Sequence, residues 1–181
     1  MTVSAVHIRT AIDGYLLSCP DQTDHLAPVL SLLERGVDPS DRSQWAGQVT
    51  ASAVVFNPDG RILLVHHRKH DKYLQPDEHL EAVDETLTGA ALREIGEVTS
   101  VRDVEPSMGG PIHISVHPVP ARPRSGEQAH FHFDVRFVFT TVSGIGALRR
   151  EVVRDAAWMA TADLTDPSLR ETVAFMAKVA S

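Results

Sequence analysis

LQPDEHLEAVDETLTGAALREIGEVTSV, residues 74–101, is an acidic turn that runs into a helix bearing three glutamates and one arginine. Asp84 reads as the N-cap, because its carboxylate can accept the free amide hydrogens of a first turn, and Glu85 just inside favours the positive end of the helix dipole. The helix is expected to run to about Val98. On a 3.6-residue period Leu87, Ala90, Ala91, Glu94 and Val98 share one face, with Arg93 and Glu97 one turn apart on its flank. Glu94 therefore interrupts an apolar stripe, where a carboxylate costs free energy unless it is paired or holds a cation. Glu97 adds a second negative charge within reach, and two such acids point to a divalent metal with oxygen ligands.

Glu85, seven residues, then Arg93-Glu94-Ile95-Gly96-Glu97 resembles the signature box of the Nudix superfamily. Most of its members hydrolyse a diphosphate linked to a nucleoside or another group, with Mg or Mn held by box glutamates. TASAVVF at 50–56, LLVHH at 63–67, the YLQP turn and HFHFDVRF at 130–137 are similar to a bacterial subgroup whose box opens QPGGH. The resemblance implies an α+β fold, a Nudix-type α/β/α sandwich with a mixed sheet over 45–181, preceded by a helical hairpin over 1–44. It makes Glu85, Arg93, Glu94 and Glu97 the catalytic set, with Glu85 and Arg93 bracing the loop against the helix and Glu94 and Glu97 holding Mg or Mn. His79, which closes the QPDEH opening, joins the substrate-binding candidates.

The departures from that pattern are specific. Asp77 and Glu78 stand where the subgroup has two glycines, Val98 replaces the second glutamate of a pair, and Ser100 and Val83 replace glycines. Non-glycine residues restrict the turn's dihedrals. A site reduced from three carboxylates to two holds Mg less well, unless Asp77, Glu78 or a histidine supplies the missing ligand.

At 181 residues, 43% of them hydrophobic, the chain is long enough for one domain with a real core. A net charge of −7 argues against a nucleic-acid polymer as partner, while leaving room for a basic pocket. Cys19, the single cysteine, excludes an internal disulfide framework and reads as an inert thiol. No basic-then-apolar leader and no run approaching a membrane span is present, so a cytoplasmic protein without a membrane partner is expected. Residues 2–17 and 24–35 read as helices with stripes Ile8/Ile12/Leu16 and Leu26/Leu30/Leu33, a hairpin that packs on the domain or on a second copy in a homodimer.

Strands follow at 49–56 and 62–67, joined by Asn57-Pro58-Asp59-Gly60. The run His66 to Lys72, Arg68 included, either offers cations to a phosphate or forms a solvated loop. A mobile loop is expected between Pro118 and Ala129, whose Arg122 and Arg124 either close over a phosphate or stay in solvent. Along the strand from His130, period-two alternation sends Phe131, Phe133, Val135, Phe137 and Phe139 to a core and His130, His132, Asp134 and Arg136 to a lined pocket. His113, Ser115 and His117 on a neighbouring strand would add a second row. His130, His132 and Asp134 form a candidate two-histidine, one-carboxylate transition-metal site, or they hydrogen-bond one another and a substrate without metal. Trp158 ends a last strand as a core residue, and Asp166-Pro167 opens a terminal helix.

Two functions fit these residues. One is a Mg- or Mn-dependent hydrolase of a diphosphate linkage in a nucleoside-diphosphate-like small molecule. The other is a Nudix-fold protein that has lost this activity and binds a ligand, or does other chemistry with the His130/His132/Asp134 pocket.

Overall fold

A computed structural model describes residues 2–123 and 126–179. Helices α1 (Ala5–Ser18) and α2 (Thr23–Glu34) form the expected hairpin, linked by a single 3-10 turn, with the Ser4 side chain capping α1 by accepting from the His7 amide. Their buried residues are Ile8, Ile12 and Tyr15 on α1, and Leu26, Val29 and Leu32 on α2. This corrects the stripes by one position near each helix end: Leu16, Leu30 and Leu33 lie at the margins of the apolar face and are only partly buried.

Strands β1 (Gln48–Phe56), β2 (Ile62–His67), β3 (Lys72–Leu74) and β4 (Asp77–His79) lead into α3 (Leu87–Thr99). The chain continues through β5 (Val104–Pro106), β6 (His113–Val119), β7 (His130–Thr141), β8 (Val153–Met159) and α4 (Pro167–Val179). The eight strands form one sheet with β3-β2-β1-β7-β5 as its spine, while β4 pairs with β1, β6 with β7 and β8 with β2. β1 and β7 run parallel over nine register pairs and every other pairing is antiparallel, so the sheet is mixed. At the β1–β2 connection Asn57 Oδ1 accepts from the Asp59 and Arg61 amides, and Gly60 takes a φ of +71° that a Cβ would disfavour.

Alternation sorts the sheet into two faces. Val49, Ala51, Ala53 and Val55 of β1 and Phe133, Val135, Phe137 and Phe139 of β7 share a core with α1, α2 and α3. Val54, Ile62, Leu64 and Val138 point the other way and pack with Leu169 of α4. This is the expected α/β/α sandwich, and its box helix and α4 lie on opposite faces. Phe131 departs from the expected row: it is 42% exposed, because β7 outruns the core at its first turn of pleat.

The helix start also differs from the sequence expectation. Thr86, not Asp84, caps α3, its side chain accepting from the Gly89 amide at 2.9 Å. At the other end Ser100 adopts a left-handed φ of 52°, a conformation that favours glycine, and its hydroxyl donates to the Ala147 carbonyl. Asp166 caps α4 by accepting from the Leu169 amide.

Candidate active site

The stripe of α3 is buried as its periodicity requires: Leu87, Ala90, Ala91, Glu94 and Val98 all face inward. Glu94 is 4% exposed, and its nearest cation is Arg93 NH1 at 3.9 Å. Burial first, then the Glu78 and Asp77 carboxylates, push its pKa up to about 8.

Arg93 is the brace of this region, but Glu85 is not its partner. The guanidinium donates to both oxygens of Asp84, at 2.9 and 3.0 Å, and to the His79 carbonyl at 3.2 Å. Asp84 is buried and Glu85 exposed. With Thr86 as cap, Glu85 lies outside the helix and its side chain faces solvent, while the neighbouring carboxylate turns in under the arginine. Glu97 is held by Arg93 at 3.4 Å and by Arg149 at 3.0 Å.

On the opposite face of the sheet, toward α4, lies a cavity of about 690 Å3. The pairing of β4 with β1 explains what reaches it. His79 is registered with Thr50 and Asp77 with Ser52, so both point into the cavity, whereas Glu78 is registered with Ala51 and leans toward α3. Glu78 still borders the cavity. Asp77 is open to it yet ringed by protein, and burial with the Asp134 and Glu78 charges raises it to about 7. Arg42, Lys69, Lys72 and Arg122 border the same space. Ser115 Oγ, also on its wall, is buried without a hydrogen-bond partner.

Three imidazoles meet at one wall. His79 Nδ1 lies 2.9 Å from Glu78 Oε1 and His130 Nδ1 lies 2.8 Å from the Gln128 carbonyl. Both partners only accept, so each Nδ1 carries a proton, and the neutral tautomer of either ring presents a bare Nε2. Those two nitrogens face His132 Nε2 at 3.2 and 3.1 Å, which has one hydrogen to share between them. Burial and the two neighbouring rings push His132 down to about 3, so it is neutral near pH 7. The hydrogen bonds from His79 hold Glu78 low, at about 2.

Asp134 does not join these histidines. It accepts from Ser52 at 2.7 Å and Thr50 at 3.2 Å and pairs with Arg136 at 3.4 Å, which in turn donates to Thr172 and Ser168 of α4. Parallel pairing of β1 with β7 places the two hydroxyls beside Asp134, and the buried arginine needs its charge. The transition-metal set of His130, His132 and Asp134 is therefore not assembled, and among the described residues no three His, Cys, Asp or Glu side chains are arranged to hold a metal ion.

The cavity thus brings together His79, Arg122, His130, His132 and Asp134 and leaves out Glu85, Arg93, Glu94, Glu97 and Arg68. Arg68 donates to the Arg150 carbonyl instead. Arg122 pairs with Glu127 at 3.1 Å across the 118–129 connection, and Arg124 lies outside the described residues. His113, Ser115 and His117 do share the face of Arg136, Asp134 and His132, with which they are registered. Arg42 carried no sequence signal, since it lies in a turn far from any motif. Asp84 was legible as an acid, but only the cap at Thr86 shows which carboxylate turns inward.

No helix of the described residues is long and apolar enough to cross a membrane. No curated protein sequence matches the chain. Solved structures do: the MutT Nudix hydrolase of Burkholderia pseudomallei is 19% identical, with a TM-score of 0.51 over 74% of this chain and 98% of that one. A Nudix-family hydrolase of Clostridium perfringens is also 19% identical, at a TM-score of 0.55 over 72% and 97% of the two chains. The Nudix domain of Shewanella oneidensis NrtR, solved in complex with ADP ribose, is 18% identical, at 0.52 over 76% and 92%. At these identities the likeness is one of fold. The family model of the Nudix domain matches residues 47–180, and with the α3 box and the mixed sandwich in place, the chain belongs to the Nudix family.

Proposed function

We propose that the protein hydrolyses a diphosphate linkage in a phosphorylated small molecule that binds in the cavity below β4. The observation that carries this reading is the double role of Glu78, which borders the cavity and also sits in the field of Glu94. It links the basic rim to the box helix. Arg42, Lys69, Lys72 and Arg122 supply the charge that orients phosphate oxygens, and the unpaired Ser115 hydroxyl is free to donate to one.

Glu94 and Glu97 are the residues to hold Mg or Mn, with Glu78 contributing from β4. The donor set fits: these are carboxylate oxygens, and Glu94 is a buried carboxyl whose ionisation is opposed by like charges, a penalty that a cation removes. Mg is commonly held by one or two carboxylates together with substrate phosphates, so a preformed cage of three protein ligands is not required. When bound, such an ion neutralises diphosphate oxygens and acidifies the attacking water. Proton acceptance falls to His79 Nε2, whose lone pair is fixed by the Nδ1 bond to Glu78.

A second reading is favoured by one observation: neither Glu94 nor Glu97 borders the cavity, and Glu97 is tied to two arginines. On that reading the cavity binds a phosphorylated ligand without turnover. Phosphate release from a panel of nucleoside diphosphate derivatives with Mg or Mn, comparing wild type with Glu94→Gln, separates the two. Turnover lost in the variant supports the hydrolase; ligand binding without turnover in either protein leaves only the second reading.

A further inference from the structure

Beside the basic cavity lies a smaller lobe of about 360 Å3, walled by Trp45, Pro118, Val119, Pro120, Ala129 and Phe131. The two spaces share Trp45, His130 and the three residues from Pro118, so a ligand can occupy both. Their chemistry differs sharply. The cavity carries the cations and acids already described, whereas the side chains of the lobe are apolar apart from His130. His130 is already committed, through Nδ1 to the Gln128 carbonyl and through Nε2 to His132.

The backbone of the lobe offers little more. Pro118 and Pro120 have no N–H, and Val119 is laddered to His130 across β6 and β7. The edge of a nucleobase would find few partners there and would lose those it had in water. An alkyl or prenyl chain asks for none. Phe131 is the telling wall residue, a large apolar side chain left 42% exposed on a strand whose later phenylalanines are buried. The Trp45 ring stands edge-on to His130 at 5.5 Å and places an indole where the two spaces join.

We infer that the lobe binds a hydrocarbon group, so that the ligand is an amphiphilic phosphate: a phosphorylated head at the basic rim and an aliphatic tail against Trp45 and Phe131. The inference rests on the phosphate-binding reading of the cavity, and the test separates the two. The chain has two tryptophans, so a Trp158→Phe background leaves Trp45 as the fluorescent reporter. Ethyl, butyl, hexyl and octyl phosphate are titrated against it, with inorganic phosphate and adenosine monophosphate alongside.

Affinity is expected to rise about 4-fold per methylene until the lobe is full. Phe131→Glu and Ala129→Phe, which charge and fill the lobe at solvent-accessible positions, should flatten that rise and leave inorganic phosphate binding unchanged. Two variants guard against one of them misfolding. Alkyl phosphates that all bind as inorganic phosphate does, whatever their length, overturn the lobe and leave the basic rim standing. A length-dependent series with no binding of inorganic phosphate keeps the lobe and removes the rim. Adenosine monophosphate binding more tightly than octyl phosphate, and lost in Phe131→Glu, assigns the lobe to a base and overturns the hydrocarbon tail. No binding by any member of the series refutes both.

Discussion

Glu94→Gln tests whether the box glutamate is the strained carboxyl that its surroundings imply. In the folded chain its pKa is raised from 4.5 to about 8, by burial first and then by the Glu78 and Asp77 charges. As pH rises, the unfolded chain gives up this proton near pH 4.5 and the folded chain only near pH 8. Between those values the folded state holds more protons, so stability falls with rising pH across that window and is level above it. At about 1.4 kcal/mol for each pH unit between the two values, the loss is roughly 5 kcal/mol by pH 9. Glutamine keeps the shape and never ionises. Urea unfolding should therefore give wild type and variant similar stability at pH 4.5, with the variant ahead by roughly 5 kcal/mol at pH 9. Titrating groups remote from Glu94 are common to both proteins and cancel in the difference, whereas Asp77, Glu78 and Glu97 titrate together with it. Adding 10 mM Mg should raise only the wild type at pH 9, by mass action on the folded state. A variant no more stable than wild type at pH 9 would refute the strained carboxyl, and with it the argument that a cation relieves it.

The brace on Arg93 gives a sharper contrast between neighbours. Asp84→Ala leaves a guanidinium with 14% side-chain exposure short of its bidentate partner and should cost about 3 kcal/mol, whereas Glu85→Ala, at an exposed position, should stay within about 0.5 kcal/mol in the same urea assay. Equal costs would return Glu85 to the pairing. For the imidazole cluster, NMR of the ring C2 protons should show His132 flat from pH 5 to 8, since burial and its two neighbours hold it at about 3. A midpoint inside that range would mean that the ring gains a charge the structure does not provide for.

What the sequence made legible is what a periodic pattern determines. The α3 stripe, the hairpin at Asn57–Gly60, the two-faced β7 strand and the proline at the start of α4 each follow from spacing alone, and the structure bears them out. What escaped depends on which neighbour a residue meets. Alternation put Asp134 and His132 on one face, but only the parallel pairing of β1 with β7 gives Asp134 its hydroxyl partners and frees it from the histidines. Alternation also sent Phe131 to the core, because a period records direction and not how far the covering layer extends. Glu85 was drawn into the brace by its place in the box, and a shift of the helix cap to Thr86 was enough to hand that role to Asp84.

Val98 is 1% exposed and packs with Val65 and Val153, so that position serves the core. A carboxylate there would be buried among valines with no partner, a cost of several kcal/mol. On β4 the strand register sets Asp77 toward the cavity and Glu78 toward Glu94. That places Glu78 between an imidazole it orients and a glutamate whose ionisation it opposes. Any cation or proton that enters this region must therefore satisfy both sides of the sheet at once.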